Sequence, residues 1–124
     1  MISAKGTFEV DLLPQDDTGY PAGRMLIRKA YLGDMKGSGM GQMISKRTET
    51  GAAVYYAIEE FSGSVKGKNG GFTLVHKGNM NKESQSLEVT ILEGSGSGAL
   101  ESISGSMLID QDENGHRYEL TCNL

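Results

Sequence analysis

Tryptophan is absent from this 124-residue chain, and cysteine occurs once, at Cys122. One thiol cannot close an intrachain disulfide, which points to a reducing cytoplasm. Without tryptophan, lipocalin-like and avidin-like barrels are disfavoured. Apolar runs are short: none approaches the roughly 20 residues of a membrane-spanning helix. The opening MISAKGTFEV lacks the apolar centre of a signal peptide. Positive charge is also scarce. Twelve Lys and Arg against sixteen Asp and Glu leave a net charge of −4 with no basic stripe, so nucleic acid is excluded as an expected partner. The expectation is a soluble cytoplasmic protein with no membrane attachment.

Reactive motifs are equally few. His76 and His116 are the only histidines, with no H-x-H or H-E-x-x-H spacing, and Cys122 has no companion thiol. A metal site needs three or four ligands at recognisable spacing, so neither metal nor cofactor is expected. No serine lies in a G-x-S-x-G elbow. The glycines at 94, 96 and 98 lack the G-K-[ST] and βαβ context of a phosphate cradle.

What the chain does have is 18 glycines and a repeated two-residue alternation. Glycine at that density belongs to turns and bulges and argues against long helices. Phe8, Val10 and Leu12 alternate with Thr7, Glu9 and Asp11, the pattern of a half-buried strand. Pro14 to Gly23 holds both prolines and reads as the longest irregular connection, a lid or rim. Arg24 to Leu32 is a second strand, with Met25, Ile27, Lys29 and Tyr31 on one face. After a turn at 33–37, a third strand runs through Met40, Gln42 and Ile44. The segment from Gly94 to Ser106 reads as a glycine turn with one helical turn at Ala99 to Ser102. Strands at Leu87 to Leu92, Ile103 to Ile109 and His116 to Cys122 complete the series. Met25, Met40, Met80 and Met107 fall on the faces assigned inward.

The chain is organised around Ala53 to Met80. Tyr55, Ala57, Glu59 and Phe61 share one face; Phe72, Leu74, His76, Gly78 and Met80 share another. A two-residue turn at Lys68-Asn69 or Asn69-Gly70 makes the faces coincide. Glu59 and His76 then lie on the same side of a sheet. Eight hairpin-connected strands without a helical period predict an all-β domain over residues 1–124. Its architecture is a closed or nearly closed eight-stranded antiparallel β-barrel. Closure removes the edges that invite aggregation and leaves room for side chains or one small ligand.

The stretches GTFEVDLLPQ, GRMLIRKAYLGDM, YAIEEFSGSVKGKNGGFTLVHKGNM, LEVTILEGSGSGALESISGSMLI and HRYELTCNL together resemble a small bacterial family of uncharacterised proteins. That family is similar in fold to allene oxide cyclase barrels. The resemblance spans nearly the whole chain and implies a barrel without implying an activity. A weaker similarity to the plant cyclases covers AVYYAIEE and the glycine turn before Ala99-Leu100. In those enzymes a glutamate with a polar neighbour on the first strand lines an apolar cavity. Glu9-Val10-Asp11 matches that pattern loosely, but alternation puts Glu9 and Asp11 opposite the apolar face.

Candidate cavity-lining groups are therefore Glu59, His76, Lys29, Tyr55, Tyr118 and His116. Lys29 is the expected partner of Glu59, and a buried pair can be structural alone. The favoured reading is a barrel that binds a small, partly hydrophobic molecule or serves a structural role. A cofactor-free isomerase or cyclase with Glu59 as acid or base is the first alternative. An interaction module using the outer surface is the second. With Tyr55, Ala57 and Glu59 inside, Val54, Tyr56 and Ile58 lie outside as a contiguous apolar stripe. Such a stripe predicts a homo-oligomer, most simply a two-fold dimer.

Overall fold

The structure is a computed structural model describing residues 1–124. Its strands are β1 (Ile2–Pro14), β2 (Gly23–Gly33), β3 (Met35–Arg47), β4 (Ala53–Val65), β5 (Lys68–Met80), β6 (Gln85–Ile91), β7 (Ser97–Gly98), β8 (Ser104–Asp112) and β9 (Gly115–Asn123). Eight of them pair antiparallel in the order β4-β3-β2-β1-β9-β8-β6-β5, and β5 returns to β4 to close the barrel. The two-residue β7 lies outside the cycle, paired to β5 at Gly70 and Gly71. No helix forms, so the helical turn expected at Ala99 to Ser102 is instead a run of turns closed by bonds such as Leu100 N to Ser97 O. Gly96 and Gly98 flank it, and glycine disfavours helix.

Inward side chains grade from sealed to open along the barrel. At one end Ala4, Met35, Val65, Leu100, Leu120 and Cys122 are fully buried. This end carries the β2–β3 and β4–β5 turns and the long β6–β8 connection. Leu100 and Ile103 from that connection plug it. The covering segment is therefore 92–103 and not the 15–22 loop, where Tyr20 is exposed. At the opposite end the inward residues open to solvent: Leu12 is 49% exposed and Leu87 36%, with Tyr55, Met80 and Ile109 half-buried.

The β4–β5 hairpin turns at Lys66-Gly67, two to three residues before the expected position, with Val65 opposite Lys68. Lys66 (φ 49°) and Gly67 (φ +85°) both take left-handed conformations, the requirement of a type I′ turn, whose twist matches its strands. The loop still has two residues, so the faces coincide as the alternation requires.

The third strand faces the other way from its expected orientation. Met40 is 68% exposed and Ile44 46%, while Gly39 and Gly41 point inward. Glycine has no side chain to mark a buried face, so the outward Met40, Gln42 and Ile44 looked like the apolar set. The two inward glycines turn out to matter most for the site.

Candidate functional site

Glu59 is fully buried at the middle of β4. In register, its inward row is Ile27 on β2, Gly41 on β3, Glu59 and then Leu74 on β5. Lys29 stands one row towards the sealed end on β2, opposite Gly39. Lys29 and Glu59 thus sit two strands apart with only Gly39 and Gly41 between them. Nothing blocks the interior, and Lys29 Nζ reaches Glu59 Oε1 at 3.0 Å. A Cβ at Gly39 would collide with Glu59 Oε2. That absence of a side chain makes space for the carboxylate.

Two more donors converge on it. His76 Nε2 lies 2.8 Å from Oε1, and the Tyr31 hydroxyl donates to Oε2 at 2.5 Å. An ionised carboxylate only accepts, so His76 carries a proton on Nε2. No buried side-chain nitrogen or oxygen lacks a partner, and Nδ1 of His76 has no protein partner. Nδ1 therefore has access to solvent.

Burial works to raise the pKa of Glu59. The His76 hydrogen bond, the Lys29 charge and the Tyr31 hydrogen bond outweigh it and hold the carboxyl at about 2. For Tyr31, burial and the Glu59 charge together push the phenol far above its ordinary range. The cluster is a fixed anion encircled by donors.

An aromatic layer supports the cluster. Tyr31 packs edge-on against Phe61 (5.4 Å) and Tyr118 (5.5 Å), and the Phe8 ring lies 4.8 Å from Lys29 Nζ. A cation over a ring face gains from the ring quadrupole.

The structure brings Glu59, His76 and Lys29 together as the alternation indicated. Tyr118 is buried but separate: its hydroxyl accepts from Met35 N (2.8 Å) and donates to Leu32 O (2.9 Å). Tyr55 is half-buried nearer the open end, its ring lying over Gly78. His116, also half-buried, stacks on Phe8 at 5.0 Å. Glu9 and Asp11 point outward and are exposed. Tyr31 is the member the sequence reading did not single out. It shares the Lys29 face, and that parity was its only signal.

Between β6 and β8 only Val89↔Met107 and Thr90↔Ser106 pair. Towards the open end this seam parts, leaving a recess of about 290 Å³ lined by Tyr55, Met80, Leu87 and Ile109 together with the polar Asn79, Gln85 and Ser86. No group of three or more His, Cys, Asp and Glu is placed to hold a metal.

Fold and site define a closed eight-stranded barrel, sealed at one end, with a buried charged cluster below an open mouth of mixed apolar and polar lining. The chain belongs to the family described as protein of unknown function (DUF3224), whose model matches residues 4–122. It is similar to the crystal structure of a DUF3224 protein of unknown function from Shewanella oneidensis MR-1. The two are 31% identical with a TM-score of 0.92, over 100% of this chain and 97% of that one. No curated protein matches.

Proposed function

We propose that the barrel binds a small, largely apolar molecule through its open end, with an oxygen-bearing group directed at Lys29 and His76. The observation that carries this reading is the one-ended gradient of burial above the cluster. Apolar side chains line the mouth, and two polar groups with spare hydrogen-bonding capacity lie beneath it. Lys29 has three N–H donors and its one side-chain acceptor is Glu59. His76 has Nδ1 free. An apolar cup with few convergent polar groups is the usual make-up of a ligand site. The parted β6–β8 seam supplies an entrance. The buried thiol of Cys122, whose pKa burial raises, suits a cytoplasmic setting.

The resemblance to allene oxide cyclase barrels suggests a cyclase, with Glu59 as its acid or base. The geometry weighs against that role. A carboxylate with a pKa of about 2 is a poor base at neutral pH, where general bases work best with pKa values near the operating pH. Glu59 fits better as the group that orients Lys29 and His76.

Native mass spectrometry of protein purified from its own host tests the proposal. The expected result is a bound species of small-molecule mass that is lost from Leu87→Arg, which places a charge at the mouth and leaves the cluster intact. Host-derived protein that carries no ligand, and binds no apolar fluorophore saturably, would overturn it.

A further inference from the structure

The outer face of β3 and β4 is unusually apolar for a surface. Met40, Ile44, Val54, Tyr56 and Ile58 are each at least 40% exposed, and pairing puts them on adjacent rows of two neighbouring strands, β3 and β4. Together they form one contiguous apolar patch, the kind of surface that often marks an interaction site.

The charges around this patch are ordered. Arg28 on β2 and Glu60 on β4 both pair with Met40 of β3, one on each side. They form a row Arg28–Met40–Glu60. The next row reads Leu26–Gln42–Ile58, and the one after it Arg24–Ile44–Tyr56.

A face-to-face dimer can place its two-fold axis along β3 or across it. An axis along β3 reflects each row about its middle residue. Arg28 then meets Glu60 of the partner subunit, and the reciprocal contact forms from the other copy. Leu26 meets Ile58 of the partner subunit, and Arg24 lies over the partner's Tyr56, a cation–π arrangement. An axis across β3 through the Gln42 row would set Arg28 against the partner's Arg24 and bury Glu60 against the partner's Tyr56. The charge pattern favours the first arrangement and penalises the second.

We infer that a second copy of this chain covers the outer face of β2–β4, related by a two-fold axis along β3. The Arg28–Glu60 pair, made twice, fixes the register. Tyr56 and Ile58 supply the apolar contact, and aromatic residues are enriched in such patches. The cup lies on the interior side of the same strands, so the inference stands independently of any ligand.

Sedimentation equilibrium at micromolar to tens of micromolar concentration tests it. The wild type is expected at twice its 13.3 kDa chain mass. Glu60→Arg and Arg28→Glu each replace two attractive pairs with two repulsive ones and should weaken the dimer by about a hundredfold. The double variant Arg28→Glu/Glu60→Arg restores the pairs and should return the constant to within about tenfold of wild type. Glu113→Lys, a charge reversal at the exposed β8–β9 turn on the opposite side of the barrel, should leave it nearly unchanged. Unaltered thermal melts establish that these exposed substitutions leave the fold intact. A wild type that remains monomeric overturns the inference. So does a double variant that fails to recover, or a Glu113→Lys variant as damaging as Glu60→Arg.

Discussion

Replacing Glu59 with glutamine keeps the shape of the side chain and removes its charge. The ordinary carboxyl value is 4.5 and the folded value about 2. A folded pKa depressed in this way stabilises the native state above about pH 4.5, and the stabilisation is lost as pH falls through 2. At 1.36 kcal/mol per unit the charge is worth about 3 kcal/mol at neutral pH. Glutamine also leaves the buried Lys29 ammonium without its counter-charge, and breaking a buried pair on one side costs about 3–5 kcal/mol. Urea unfolding followed by far-ultraviolet circular dichroism should show the variant less stable by that amount at pH 7. As pH falls from 4.5 to 2, Glu59 of the wild type takes up its proton and comes to resemble the amide, so the gap should close by about 3 kcal/mol. Asp16 and Asp17, whose pKa values are lowered by hydrogen bonds from Thr18 and Arg24, are present in both proteins and cancel in the difference. Glu88→Gln, at an exposed position, should stay within about 0.5 kcal/mol of wild type throughout. A gap between wild type and Glu59→Gln that is constant from pH 7 to pH 2 would refute the account of the cluster.

Tyr31→Phe removes one donor to the carboxylate, so it should cost about 1.5–3 kcal/mol and move the acid transition to higher pH in the same titration. Tyr118→Phe strands the buried Met35 N–H and should cost about 1–3 kcal/mol while leaving the pH of the acid transition where it was. Gly39→Ala forces a methyl group against the Glu59 carboxylate and should destabilise by about 1–3 kcal/mol. Gly23→Ala, where a Cβ meets nothing within 4 Å, is the control, expected within about 0.5 kcal/mol by urea unfolding.

Alternation made much of this arrangement legible before any coordinates. From Tyr55 to Phe61 on β4 and from Phe72 to Met80 on β5, every inward position but Gly78 carries a side chain of evident character, so Glu59 and His76 declared their shared face. Any two-residue turn preserves that relation, which is why misplacing the turn did no harm. On β3 the signal inverted: its inward residues near the site are glycines, and a buried face without side chains leaves no hydrophobic trace. Tyr31 was hidden by the same gap. Its link to Glu59 crosses β3 diagonally, and only knowing that β3 is hollowed by Gly37, Gly39 and Gly41 shows that the two can touch. The plug at Leu100 was illegible for a different reason: a segment rich in glycine and serine reads as a turn until Leu100 is seen entering the barrel.

The pairing of β1 with β9 places Phe8 opposite His116, and this has a consequence for the chain as it is made. On the ribosome β9 emerges after every other strand, so until then β1 and β8 each present an unpaired edge. Those edges are the templates on which foreign strands add. The interior is also unsealed at that stage, because Leu120 and Cys122 have yet to arrive and Tyr118 has not yet bonded across to Met35. Closure between the most distant parts of a sequence is slow, because loop entropy must be overcome before the contacts form. The barrel is therefore most exposed to misassembly just before β9 docks, when Lys5 on the β1 edge and Asp110 on the β8 edge, later opposite Glu119 and Arg117, are charges that an adding strand would have to bury.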